Sequence, residues 1–275
     1  FDSILMAFGT AGTGGFGVKN NSAMYWDSAY IEGVLTVFMI LFGINFNLIY
    51  FAILGRIKEV MRSEELRWYL LIIFGAIVLI AINTLPMYDS ILQAIRYSSF
   101  QVGSIITTTG YVSYNYDTWP LFSQMILLAL MFIGACSGST GGGIKISRIV
   151  IYFKNARNEI RRLVHPHSIK TVEFEGQPVD ENVNRNIHAY LAVYLALFAV
   201  SLLIVALNNF DFKTTFSAVT TCFNNVGPGL EVVGAVGNFS SLSDLSKIVL
   251  SFDMLAGRLE IFPLLLLFSP SLWRK

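Results

Sequence analysis

Long apolar stretches alternate with short polar ones along this chain. Residues 31–54, 68–85 (reaching Met87 across Pro86), 187–207 and 246–268 each approach the ~20 residues a helix needs to cross a bilayer, the last with charges inside it. Residues 121–135 form a further apolar run, too short to span alone. Three Gly-bearing segments recur between these runs: Thr13-Gly14-Gly15-Phe16, Thr108-Thr109-Gly110-Tyr111 and Asn225-Val226-Gly227-Pro228. Each follows a modestly apolar stretch containing Ser or Thr, and precedes a polar stretch and then a long apolar one. The pattern predicts a repeated unit of entering span, half-helix, non-helical loop and returning span. Irregular backbone at membrane depth is tolerated only where protein buries it or it lines water, and repeating such a unit builds a pore from backbone.

The middle unit is complete: residues 68–87 enter, 89–106 form the half-helix, 107–112 the loop, and the chain returns from Leu121. Asp89 near the half-helix start suits the helix dipole. The last unit repeats the order with 187–207, 211–222, 223–229 and 246–268, and Asp211 opens its half-helix. The first unit holds only the end of a half-helix (2–8), its loop and its returning span. The expected division is therefore 1–55 (the C-terminal part of a pore-loop unit), 56–162 (a whole unit with a broken return helix), 163–184 (a linker) and 185–275 (a further unit and a tail). The chain starts without Met, inside a unit, so an N-terminal part of the natural protein is expected to precede it. The linker carries Pro166, Pro178 and Gly176, with a short hairpin possible at Glu175-Gly176-Gln177.

Composition changes the picture in one respect. Hydrophobic residues make up 54% and charged residues 13%, with mean hydropathy +0.60, against roughly 25% charge in soluble domains. This is an all-α polytopic membrane protein. Net charge is +1, but most Lys and Arg fall at 56–67, 145–185 or the tail Arg274-Lys275. The positive-inside rule puts these segments in the cytoplasm, and the assignment alternates correctly with the spans. Cys136 and Cys222 lie in membrane-depth segments and read as small buried residues. His165 and His167, in a basic loop, read as surface rather than metal ligands.

The loop glycines suggest the chemistry. Gly adopts positive φ without a Cβ clash, so backbone carbonyls can turn toward an axis and replace water around a monovalent cation. Side chains differ between the loops, whereas Gly15, Gly110 and Gly227 recur, which assigns the shared role to backbone. A plain turn at a helix end is the competing reading for any one loop; three in register after short half-helices favour the filter. Closure of a fourfold ring would need a further loop from the preceding part of the protein.

Two features remain. Cys136-Ser137-Gly138-Ser139-Thr140-Gly141-Gly142-Gly143 interrupts the return span with too many glycines for a helix interior. It should be irregular, within the membrane and close to the pore. A phosphate-binding loop fails in register, since Ile144 separates Gly143 from Lys145 and Ile146 follows. Arg258 sits inside the last apolar run with Asp253 and Glu260 nearby, neither at helix-face spacing. A charge so placed faces water or a partner, either as an interhelical tie or as a barrier in a cation pathway.

Taken together, the runs Thr107-Thr108-Thr109-Gly110-Tyr111, Gly138 to Lys145, Phe223 to Gly229 and Met254 to Ile261 resemble the membrane subunit of the bacterial Trk/Ktr potassium-uptake family. The resemblance extends over the whole chain. It implies repeated M1–pore-loop–M2 units arranged pseudo-symmetrically around an ion pore, with the first of four repeats and part of the second lacking here. It implies K+ coordinated by backbone at Thr13, Gly14, Gly15, Thr108, Thr109, Gly110, Asn225, Val226 and Gly227, with the ion near Gly15, Gly110 and Gly227. It implies a gate made of Ser137, Gly138, Ser139, Thr140, Gly141, Gly142 and Gly143 with Arg258 beside it. A homodimer in the bacterial inner membrane follows, on a cytoplasmic ring of TrkA-like regulatory subunits. Nucleotide is expected on that ring alone, with no covalently bound cofactor and no nucleic-acid partner. A secondary transporter coupling K+ to H+ or Na+ is the alternative; it would need an ion-coordinating or titratable residue at mid-membrane. An intramembrane enzyme is disfavoured: Ser137 and Ser139 lie at membrane depth, but no span supplies a His as base.

Overall fold

The computed structural model describes residues 1–165, 171–259 and 261–267. Pro166, His167, Glu260 and the tail Arg274-Lys275 lie outside them. The first unit comprises α1 (Asp2–Ala11), α2 (Ala29–Phe42) and α3 (Phe46–Ile53). After α4 (Ile57–Arg62) come α5 (Glu64–Thr84), α6 (Ile91–Ile106), α7 (Leu121–Ile133) and α8 (Ile146–Val164). A small hairpin, β1 (Glu173–Phe174) and β2 (Gln177–Pro178), precedes α9 (Glu181–Ala206), α10 (Phe212–Phe223), α11 (Asp244–Arg258) and α12 (Ile261–Leu267).

Among the described residues, α5 with its extension to Met87 and α9 are each long and apolar enough to cross a membrane. Their outer faces leave Phe74, Ile82 and Leu203 exposed, an apolar surface suited to lipid. Their inner faces bury Tyr69, Ile73, Ile80 and Tyr194, Phe198, Val205. The half-helices α1, α6 and α10 lie between the spans. Each of α6 and α10 packs on its own entering helix, α5 or α9, and on the return helix of the preceding unit, α2 or α7. That shared arrangement is the pseudo-symmetry of the fold.

Three sequence expectations change. Residues 31–54 are not one span: α2 and α3 meet at a 103° bend. Gly43 sits at the corner, where a Cβ would come within 2.2 Å of Tyr69 Oη. Tyr69 Oη donates to Ile40 O (3.0 Å), and the Asn45 side chain accepts from Asn47 N (2.9 Å) to start α3. The second half-helix starts at Ile91 rather than 89, capped by Ser90, whose hydroxyl accepts from Gln93 N (3.2 Å), with Asp89 just before the cap. The run 246–268 is split after Arg258, which places Arg258 in the last turn of α11 instead of mid-helix; a cation there suits the helix dipole. Asp211 does cap α10, accepting from Thr214 N at 3.0 Å. The expected turn at Glu175-Gly176-Gln177 is present, with positive φ at Glu175 and Gly176.

Candidate functional site: three loops and an intramembrane plug

The three half-helices end in the same way. Their C-caps are Gly12, Thr107 and Asn224. The next residues, Thr13, Thr108 and Asn225, turn left-handed at φ 47°, 56° and 57°. Backbone N–H groups of Gly14, Thr109 and Val226 then reach back to the carbonyls of Gly9, Ser104 and Thr221 at 2.8, 2.9 and 2.9 Å. This six-to-one bond is the Schellman helix stop. Two residues beyond the caps' left-handed turns, Gly15, Gly110 and Gly227 again have positive φ, 66°, 83° and 106°.

Glycine would ordinarily occupy the first left-handed position. A β-branched Thr there is an outlier that costs about 1–3 kcal/mol, and the hydroxyls supply a use for it. Thr13 Oγ1 donates to Thr140 O (2.9 Å), and Thr108 Oγ1 accepts from Gly142 N (2.6 Å). Asn225 Nδ2 donates to Met254 O on α11 (3.0 Å). The glycines serve the other side of the loops. A Cβ on Gly15 would stand 1.8 Å from Thr109 O, and one on Gly110 would stand 2.0 Å from Val226 O. The first loop thus rests its glycine on a carbonyl of the second, and the second on a carbonyl of the third.

Residues 134–145, between α7 and α8, form a closed excursion. At its neck, Ile144 N, Lys145 N and Ile146 N donate to Phe132 O, Ile133 O and Ala135 O at 3.1–3.2 Å, so α8 resumes where α7 stopped. Gly134 and Gly143, at φ 69° and 77°, touch backbone to backbone, with 2.8 Å between a Cβ on Gly143 and Gly134 Cα. The tip lies against the ends of all three half-helices. Thr140 Oγ1 donates to Ala11 O (3.3 Å). Cβ atoms on Gly141 and Gly142 would stand 3.1 Å from Thr107 O and 2.4 Å from Asn224 O. Carbonyl ends of helices carry partial negative charge, so the excursion occupies ground that attracts a cation.

Arg258 reaches this tip. Its Nη1 donates to Thr140 O, and its Nη2 to Gly12 O at 3.4 Å. Gly257 lets α11 approach, since a Cβ there would stand 1.9 Å from Phe223 O. Under the excursion is a cavity of about 290 Å³ whose lining includes Lys145, Arg148, Tyr190 and Arg258. Lys145 Nζ donates to Gly141 O, and the Arg148 guanidinium lies 4.2 Å from the Tyr190 ring centre.

All 275 residues match the family described as TrkH, cation transport protein. The chain belongs to this TrkH family. It is 36% identical over its whole length to the Trk system potassium uptake protein TrkH of Salmonella typhimurium, covering 57% of that protein. It is 34% identical to TrkG of Escherichia coli K12, covering 56%. The crystal structure of the potassium transporter TrkH from Vibrio parahaemolyticus superposes at TM-score 0.91 with 35% identity, over 99% of this chain and 59% of that one. The chain spans a little over half the length of these relatives. Membership makes it part of a transporter family rather than an enzyme, and the helical architecture agrees with that structure.

On this TrkH-family fold, Gly15 meets Thr109 and Gly110 meets Val226 at the loop junctions, whereas Gly227 meets no neighbouring loop among the described residues; Gly138, Ser139, Thr140, Gly141 and Gly143 share a cavity lining with Arg258, and Ser137 lies at the base of the excursion. Asp253 is separate from Arg258, on the face of α11 that meets α9. Cys136 and Cys222 are buried and unpaired. The sequence reading missed three groups. Glu65 Oε1 accepts from Ser137 N (2.7 Å) and Ser147 N (3.2 Å), tethering the excursion at its base. Glu32, buried on α2, holds Arg96 of α6 through two 2.8 Å bonds. Tyr111 Oη donates to Met6 O (3.2 Å) and Phe16 O (3.3 Å), locking the second loop to the first unit. Only the Tyr after Thr-Thr-Gly hinted at any of these; the carboxylates pair with groups more than sixty positions away.

Proposed function

We propose that this chain forms most of a potassium-conducting pore in a bacterial inner membrane. The loops at Thr13–Gly15, Thr108–Gly110 and Asn225–Val226–Gly227 serve as its backbone filter, and residues 137–143 with Arg258 as its gate. The observation that carries this reading is the shared backbone path of the three loops, with Gly15 and Gly110 each seated on the next loop's carbonyl. Such a ring offers carbonyl oxygens to a monovalent cation without any acidic side chain. Among the described residues nothing lies within 4 Å of a Cβ on Gly227, where Gly15 and Gly110 meet a neighbouring carbonyl. The relatives' name, potassium uptake protein, supports K+ as the cargo.

K+ sheds water, takes carbonyl ligands at the filter and waits above the excursion. Arg258, Lys145 and Arg148 around the lower cavity oppose cation passage until the excursion moves. Segments 56–67 and 145–184 and the tail face the cytoplasm, where a TrkA-like, nucleotide-binding ring meets a homodimer of the membrane subunit. Flux of K+, Rb+ and Na+ into liposomes holding the natural protein that contains this chain tests the proposal. Preference for K+ and Rb+ over Na+ is expected; equal passage of all three, or none, defeats it. Coupling to H+ is a second reading, favoured by one observation: a buried carboxylate on α11.

A further inference from the structure

α11 carries that carboxylate five residues before Arg258. Asp253 is 1% exposed. Its Oδ1 accepts from Ser201 Oγ on α9 at 2.7 Å, and its Oδ2 is buried with no partner among the described residues. No ion pair reaches Asp253 among the described residues. Among the described residues, Tyr194 of α9 and Cys222 of α10 are titratable groups that interact with it. α12 carries no ionisable side chain over residues 261–267, and on α11 itself Asp244, Lys247 and Arg258 lie more than one turn away. An ionised carboxylate with a bare oxygen at membrane depth is costly. A bound proton removes that cost.

We infer that Asp253 is a proton-binding site that holds α11, and with it Arg258, in the closed arrangement. The geometry supplies the linkage. Within residues 253–258, α11 faces Ser201 through Asp253, receives Asn225 Nδ2 at Met254 O, presses Gly257 on Phe223 O and delivers Arg258 to Thr140 O. Those contacts leave α11 no slack, so a displacement at Asp253 reaches the guanidinium. Binding one proton, taken from water, neutralises the carboxylate and keeps α11 packed on α9 and α10. Releasing it to water leaves a buried charge that loosens α11 from α9 and α10, and with it the hold of Arg258 on the excursion.

This inference rests on the pore reading, and its test separates the two. Rb+ uptake is measured across a pH series in liposomes holding the natural protein, its Asp253→Asn variant and its Ser201→Ala variant. Parent flux is expected to rise with pH. Asp253→Asn, neutral at every pH, should give low flux without that rise. Ser201→Ala, which removes a donor to the carboxylate, should move the rise toward alkaline pH. The protonated-carboxyl stretching band in infrared difference spectra between acid and alkaline samples should be present in the parent and absent in Asp253→Asn. That readout needs no transport. A parent profile retained in Asp253→Asn, a parent flux independent of pH, or a band unchanged in the variant overturns the inference and leaves the pore intact. A parent passing no Rb+ at any pH, with no variant-sensitive band, overturns both.

Discussion

A Cβ on Gly110 would stand 2.0 Å from the carbonyl oxygen of Val226. Two loops from separate repeats are thus joined backbone to backbone, at a residue whose φ of 83° already disfavours any side chain. Gly110→Ala must move one loop off the other. We expect a stability loss of at least about 1–3 kcal/mol together with weaker discrimination of Rb+ from Na+. Gly227→Ala, strained in φ but without a clash among the described residues, should cost less. Thermal unfolding and flux ratios of the two variants check the order.

The contact between Arg258 and Thr140 O predicts a leak when it is lost. Arg258→Ala should raise Rb+ flux in liposomes holding no other protein, with Arg258→Lys intermediate because a single ammonium cannot reproduce the two-pronged contact with Thr140 and Gly12. Flat or reduced flux in a well-folded Arg258→Ala protein would make Arg258 an interhelical tie.

Glu65 anchors the excursion from behind. Glu65→Ala leaves Ser137 N and Ser147 N without their acceptor, at about 1–3 kcal/mol for each donor left unsatisfied. A lower melting temperature and a higher basal flux are expected together. A melting change alone would assign Glu65 to folding and not to closure.

Topology is open to labelling. Cysteine at exposed Gln177 should react from the cytoplasmic side only, and cysteine at Asn238 or half-buried Asn115 from the outside only. Ser63, between Arg62 and Arg67, is a poor site: it is buried, caps α5 and donates to Glu175 Oε1 at 2.8 Å. A label at Asn115 reached from the cytoplasm would invert the assignment.

The repeat was legible because its backbone demands recur in sequence: a polar half-helix, then a glycine two residues past the left-handed turn. The excursion was legible because glycines cluster where a helix should continue. The bend at Gly43 was not, since residues 31–54 are apolar almost throughout and the cause lies elsewhere, in Tyr69 Oη and in Cys136 N and Gly138 O, which bond Gly43 O and Phe46 N. Likewise Arg258 binds carbonyls, which every residue has, so no side-chain pattern could name its partner. Glu65 meets Ser137 across seventy-two positions, and its place at the start of α5 reads equally well as a favourable first-turn acid.

The central claim is that a monovalent cation is held by backbone where the three loops meet. Anomalous diffraction from crystals of the natural protein grown with Rb+ or Tl+ tests it directly. The account predicts a peak on the axis enclosed by the loops at Gly15, Gly110 and Gly227, within carbonyl contact and above the tip at Thr140. A transport-competent protein with no peak there, or with its ion bound by side chains elsewhere, would contradict it.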